Sequence, residues 1–455
     1  MQSDSTWQPS LAEGRPIYAA IADALAADLE AGWLRPGDRL PPQRTLAASL
    51  GVDLTTITRA YAEARRRGLI DATVGRGSFV RHPPGGSGGT VDLTMNLPPQ
   101  PAAGRLPERV AEGIAALLHR PDGGSRLTYR VAGEVERAAG ASWVRPQLGD
   151  VAPARVLVTA GAQHALAGLL TTLLRPDGLL LTEAFTYPNL RLLAGHLGLR
   201  LQGLPLDAEG LLPDALDRIC RQGGAGALYC TPTIHNPTTA TMSPGRRAAI
   251  AEIALRHGLP IIEDDAYAAL PAEPLPALAA LAPGLVYYVA TLAKTLTPAL
   301  RLAFLVAPNQ AEAARLDRPL RAMALMPSPL LAGLAAGWIA DGTAAAVLAA
   351  IREEAAARQS LAKQLLPSEG VAAHPAGHHL WLRLPPGWDQ AAFVGEMRGR
   401  GIAVASGEAF AVGEASAPAV RIALGAAADR QRLAASLAAV GEALRSPPPR
   451  SAGIV

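Results

Sequence analysis

Lysine is nearly missing from this chain of 455 residues: among 42 basic side chains only Lys294 and Lys363 are lysines. One of the two interrupts the apolar, threonine-rich stretch "ATLAKTLTPALRLAF" (residues 290–304), where arginine would serve equally well as surface charge. Cysteine is as scarce. Cys220 and Cys230 form no CxxC pair and have no histidine at ligand spacing, which argues against zinc and excludes a disulfide framework. Two thiols in so long a chain fit a reducing compartment. A net charge of +3 is too small to imply nucleic acid by itself, so any basic surface must be local. Long apolar runs are absent as well. The most membrane-like stretch, "LMPSPLLAGLAAGWIA", is broken by prolines and followed by Asp341, and it reads as buried structure. The first residues show no basic-then-apolar run, so a signal peptide is not expected. The expectation is a soluble, cytoplasmic protein.

The length exceeds what one core usually holds. A break stands at "RHPPGGSGGT", residues 81–90, whose prolines and glycines sustain neither helix nor strand. A second low-complexity stretch, "SPPPRSAGIV", closes the chain. The expected division is a front domain over 13–81, a linker over 82–95, a body over 96–446 and a tail over 447–455.

In the front domain Ile17, Ile21, Leu25 and Leu29 make one stripe of a first helix. "PPQRTLAASLG" reads as a short second helix ending at Gly51, and Asp53 caps a third that turns Ile57, Ala60, Tyr61 and Ala64 inward. "LIDATV" and "SFV" around "GRG" form a hairpin. This is the element order of a winged helix-turn-helix. Its last helix would present Leu54, Thr55, Thr56 and Arg59 to base edges, with Arg44 and Arg76 on phosphates. A three-helix tethering module with solvated arginines has the same spacing. The stretch from "LPPQRTLAASLG" to "GRGSFV" closely resembles the DNA-binding domain of the GntR family of bacterial regulators, which implies double-stranded DNA as a partner. Leu54 stands where that family often has arginine.

In the body, short Val/Ile/Leu strands alternate with helical segments, which implies a mostly parallel α/β sheet with ligands beyond the strands' carboxyl ends. Those ends carry "TAGAQH", "TEAFTYP", "TPTIHNPT", "IIEDDAY" and "VATLAK". A lysine at a strand end in an apolar site loses hydration, and its amine becomes nucleophilic toward an aldehyde. Pyridoxal 5'-phosphate is the aldehyde this chemistry most often serves. On that reading Lys294 forms an imine with it and Asp264 holds the ring nitrogen protonated. Asn236 and Tyr267 donate to the phenolic oxygen, and Tyr187 lies on the ring. Ala162 and Gln163 open a helix toward the phosphate, which Thr291 and Arg301 also reach. Arginine cannot form the imine, which answers the puzzle of the solitary lysine. Singly each residue has a structural reading too, with Asp264 a helix cap, Tyr187 a core aromatic and Arg301 a solvated charge.

The ordered set, continuing through "GHHLWLRLP" to "VRIALG", resembles a fold-type I aminotransferase over nearly all of residues 96–445. That resemblance implies a small C-terminal α/β subdomain, Arg421 binding the α-carboxylate of an amino acid, and Tyr129 reaching a dimer partner's phosphate. Thr239 replaces a glycine common after "NPT", and Ala162 an often-found serine. A GntR-like reader ahead of an aminotransferase-like body resembles the MocR subfamily. It implies a homodimeric transcription regulator that senses an amino acid, an amine or pyridoxal 5'-phosphate itself, with at most residual transaminase activity. A working aminotransferase with a front assembly module, and a cofactor-free scaffold, are the competing readings.

Overall fold

The structure is a computed structural model and describes residues 7–9, 16–30, 33–34, 38–73, 77–80, 90–413 and 418–446. Arg76, the glycine-rich stretch 81–89 and the tail 447–455 lie outside the described residues. The chain forms two compact units, Met1–Thr90 and Val91–Val455.

In the first unit, helices Ile17–Glu30, Gln43–Leu50 and Leu54–Arg66 precede antiparallel strands Ile70–Thr73 and Gly77–Val80. The short helix stops at Gly51, whose φ of 64° suits a left-handed cap that costs a residue with a Cβ more. Asp53 accepts the Thr55 backbone N–H at 2.7 Å and opens the third helix. Ile57, Ala60, Tyr61 and Ala64 are buried against Ile21 and Leu25, and the Tyr61 hydroxyl donates to the Pro41 carbonyl at 2.8 Å. The expected stripe on the first helix is buried only at its centre. Ile17, on the first turn, is 46% exposed.

The second unit begins earlier than the composition suggested. Val91–Asp92 pairs in parallel with Ile402–Ala403, and Leu93 is fully buried, so residues 91–95 belong to the body and not to the linker. Its main sheet has seven strands in the order Val156–Thr159, Ala303–Val306, Val286–Thr291, Ile261–Asp264, Ala225–Cys230, Leu179–Glu183 and Arg200–Leu204. All neighbours run parallel except Ala303–Val306, which is antiparallel to both of its partners. Burial is complete along Ile261–Asp264 and Val286–Thr291, as expected of strands covered by helices on both faces. The run Pro329–Ala340 is a helix burying Ala332, Leu334, Ala335 and Trp338 in the core. Among the described residues no single helix is long and apolar enough to cross a membrane.

A second sheet, antiparallel throughout, orders Val371–Ala373, His379–Arg383, Ala419–Ala423 and Ala405–Ser406. With helices Gln390–Gly399 and Arg430–Arg445 it encloses its own core around Leu380, Phe393, Met397, Ile422 and Leu437. This is the expected small α/β subdomain.

Candidate cofactor site and recognition helix

The carboxyl ends of the central strands open into a cavity of about 460 Å³, between the main sheet and the second sheet. Lys294, three residues beyond strand Val286–Thr291, reaches into it. The Lys294 amine donates to the Asn96 carbonyl at 2.5 Å. Burial strips its hydration, and the Arg421 guanidinium adds repulsion. Together they bring its pKa down to about 8 against the opposing pull of Asp264. An appreciable fraction of the side chain is therefore a free amine near neutrality.

Asp264 ends its strand with one oxygen committed and one open. Oδ2 accepts the Tyr229 hydroxyl at 2.8 Å, whereas Oδ1 is buried and has no partner in the protein. Burial, with Asp265 next in sequence, raises this carboxyl to about 6, and the Tyr229 hydrogen bond works the other way. A buried carboxylate oxygen left without a donor is costly unless a ligand supplies one. A cationic N–H at the cavity meets that requirement.

Tyr267 and Asn236 each have a donor in reserve. The Tyr267 oxygen accepts from Asn96 Nδ2 at 2.8 Å, so its own hydrogen is uncommitted; burial raises its pKa and keeps that hydrogen on. Asn236 Oδ1 accepts from Arg421 Nη1 at 2.8 Å, which leaves the Asn236 amide hydrogens to donate. Arg421 lies over the Phe410 ring at 4.8 Å and also donates to the Thr94 carbonyl, while its buried Nε has no partner. A buried guanidinium with an open donor selects an anion.

Gly161 turns the chain into helix Ala162–Leu173 with a φ of 88° and no side-chain cap, so the helix's first N–H groups face the cavity at Gly161, Ala162 and Gln163. Thr291 and Arg301 line the same part of the wall. Tyr187 lines it too, its hydroxyl accepting from Asn189 at 3.0 Å. Of the expected body residues only Tyr129 is elsewhere. It is 85% exposed and stands outside the lining, in an open run with Leu127, Val131 and Val135.

Five contributors are missing from the sequence-based set. Tyr229 stands two residues before "TPTIHNPT", and a tyrosine at the end of a buried strand is a weak but usable signal. Asn96, His378 and His379 carry none, because their contacts close across very long sequence separations, and Phe410 carries none because an apolar ring in a loop reads as core. His379 Nε2 lies 3.2 Å from the His235 carbonyl and therefore carries a proton, which makes its Nδ1 the acceptor for Asn96 Nδ2 at 2.9 Å. His378 Nε2 holds the Lys294 carbonyl at 2.9 Å. Burial keeps both rings neutral, bringing His378 down to about 4 and holding His379 well below the usual imidazole range.

In the first unit Leu54, Thr55 and Arg59 are exposed and Thr56 partly so, all on the N-terminal half of the third helix. Thr55 turns its hydroxyl to Asp53 at 2.5 Å, which leaves it an acceptor toward solvent. The Arg59 guanidinium rests over the Tyr18 ring at 4.6 Å, stiffening a long side chain at the surface. Arg44 is exposed on the short helix.

A strand-end lysine, aspartate and helix N-terminus around one cavity, on this sheet order, define a fold-type I aminotransferase-like body, preceded in the chain by a helix-turn-helix unit. Comparison with known proteins agrees. The family model "Aminotransferase class I and II" matches residues 89–440, and "Bacterial regulatory proteins, gntR family" matches residues 17–80. The chain is 30% identical over 416 residues to the HTH-type transcriptional regulator YdeF of Bacillus subtilis, covering 90% of each chain. It is 30% identical over 407 residues to the vitamin B6 salvage pathway transcriptional repressor PtsJ of Salmonella typhimurium, covering 86% of this chain and 90% of that one. With the probable rhizopine catabolism regulatory protein MocR of Rhizobium meliloti it shares 29% identity over 76% of each chain. Among solved structures, LysN, the α-aminoadipate aminotransferase of Thermus thermophilus, superposes with a TM-score of 0.71 at 26% identity, covering 85% of this chain and 98% of that one. The chain belongs to the MocR-type HTH regulators, in which a gntR-family domain precedes an aminotransferase class I and II domain.

Proposed function

We infer that the chain is a transcription regulator whose aminotransferase-like body holds pyridoxal 5'-phosphate on Lys294 and whose DNA affinity follows what that body binds. The observation that carries the reading is the buried, unpartnered Oδ1 of Asp264, in the same cavity as a lysine whose amine is desolvated. The residues fit the cofactor. Asp264 would hold the protonated ring nitrogen, Tyr267 and Asn236 would donate to the phenolic oxygen, and Tyr187 would lie against the ring. The phosphate would take the N–H groups at Ala162 and Gln163 with Thr291 and Arg301. When bound, the cofactor supplies an aldehyde for covalent attachment and a ring that withdraws electrons from an attached amine. Arg421 would hold the carboxylate of an amino-acid effector, its open Nε completing a two-point contact.

Such a signal acts only through a difference in affinity between two states of the protein. The ligand is an amino acid, an amine or the cofactor itself. PtsJ is by its description a regulator of vitamin B6 salvage, which supports the last. Exposed Leu127, Tyr129, Val131 and Val135 favour a homodimer, since a patch of this kind on a monomer marks an interface. Tyr129 would then complete the partner's phosphate site. In a dimer two winged helices can engage two half-sites of an operator in the cytosol. The test measures binding of the purified protein to DNA upstream of its own gene, with and without pyridoxal 5'-phosphate and candidate amines. A DNA affinity that shifts with one of these ligands is the expected result. DNA affinity indifferent to all of them, together with steady amino transfer, would make the protein an enzyme instead.

A further inference from the structure

The first residues of the body after the glycine-rich stretch are tied to the candidate site at three points. The Thr94 carbonyl accepts from Arg421, the Asn96 carbonyl accepts from Lys294 at 2.5 Å, and the Asn96 amide donates to Tyr267 at 2.8 Å. The groups expected to hold the effector carboxylate, the cofactor aldehyde and the cofactor's phenolic oxygen all contact two residues, Thr94 and Asn96. These residues lie only four to six positions after Thr90, where the front unit ends. The segment is seated as well as tied. Leu93 N–H donates to the Ala403 carbonyl at 2.8 Å and the Leu93 carbonyl accepts from Ala423 at 2.9 Å, next to the strand that carries Arg421.

Resting on the regulator reading above, we propose that Thr94–Asn96 is the element through which occupancy of the cavity reaches the linker, with the Lys294–Asn96 hydrogen bond as the contact that changes. Condensation with an aldehyde takes two hydrogens from the Lys294 amine, lost as water with the aldehyde oxygen, and leaves its nitrogen at most one N–H. That nitrogen is then held at the cofactor, and the Asn96 carbonyl loses its charged donor. A carboxylate on Arg421 competes for the donors that reach Thr94. Free, cofactor-bound and effector-bound proteins therefore hold this segment differently, and the difference begins at the chain's exit toward the DNA-binding unit. A bistable segment of this kind couples two sites by roughly 5- to 150-fold in affinity.

Two measurements test it. Hydrogen–deuterium exchange in the full-length protein follows the peptide covering residues 91–97. Adding pyridoxal 5'-phosphate to the wild type is expected to speed its exchange severalfold, while Lys294→Ala exchanges fast with or without cofactor. Operator binding then compares the wild type with Asn96→Ala, which keeps the backbone carbonyl that Lys294 holds but removes the side-chain ties to Tyr267 and His379 that fasten the segment to the site, so that a change at Lys294 is no longer passed on. The cofactor should change wild-type affinity about fivefold or more and the variant's less than twofold. A variant that responds in full, or a peptide whose exchange ignores the cofactor, overturns the proposal and leaves the sensor intact. If the wild type carries the cofactor on Lys294 and its DNA affinity moves with neither the cofactor nor any candidate amine, the regulator reading falls and this proposal with it.

Discussion

The Tyr229 hydroxyl donates to Asp264 Oδ2 at 2.8 Å, joining the ends of two neighbouring parallel strands, Ala225–Cys230 and Ile261–Asp264. The bond holds the carboxyl in one orientation, with its second oxygen open to the cavity. It also favours the ionised form, the one that can pair with a ring N–H. Tyr229→Phe removes the hydroxyl while keeping the ring that packs in the core. The carboxyl should then titrate above its present value of about 6, and cofactor affinity near neutrality should fall about 10- to 150-fold, the worth of one hydrogen bond to a charged group at roughly 1.5–3 kcal/mol. Cofactor titration followed by absorbance checks this, and an unchanged affinity would remove Tyr229 from the site.

Attachment should depend on pH in a stated direction. The reacting form of Lys294 is the neutral amine, and its pKa is depressed to about 8, so the attachment rate should climb as pH rises toward 8 and level off above it. Asp264 must be ionised, and it gains its proton as pH falls through about 6, so affinity should weaken below that value. Stopped-flow absorbance between about pH 5 and 9 would show two limbs. A flat profile would mean that burial has not tuned these groups.

Arg421 is predicted to separate the effector from the cofactor. Arg421→Lys keeps the charge but loses the forked donors that span Asn236, Thr94 and a ligand oxygen. Pyridoxal 5'-phosphate should still attach, while the response to a carboxylate-bearing amine weakens at least tenfold. Spectral titration with amino acids, with a decarboxylated amine as control, tests this; equal losses for both ligands would contradict the assignment.

On the DNA side, Arg44 and Arg59 should behave differently. Arg44→Ala removes an exposed charge and should weaken binding uniformly across sequences, lowering the salt slope by about one. Arg59→Ala removes a side chain ordered over Tyr18 next to the turn proposed to face bases, and should also alter sequence preference by about 1–3 kcal/mol at one position. Fluorescence anisotropy against an operator and a scrambled duplex at several salt concentrations distinguishes them.

Much of this molecule is legible in its sequence. Asp53, Gly51 and the inward face of the third helix follow from local capping and periodicity, and the structure has each in place. The body was legible for a different reason. A parallel sheet collects its functional residues at strand ends, so "EDDAY" and "TLAK" point to one cavity even though strands close the distance between them. The sequence hid what depends on chain crossing. Nothing local to "LTMNLPP" says that Asn96 meets Tyr267 and His379, contacts 171 and 283 positions away. A composition boundary also misplaced the linker's end, because the two-residue strand at Val91 is too short to register as a pattern. Tyr129 gave a third kind of difficulty: its expected contact lies on another copy of the chain, and on this one it is simply exposed.

The most direct measurement is borohydride reduction of the purified protein with pyridoxal 5'-phosphate, followed by peptide mass spectrometry. The account predicts one reduced cofactor adduct per chain, on the peptide containing Lys294, and none on Lys363 or in Lys294→Ala. An adduct on Lys363, or no adduct at all, would contradict it.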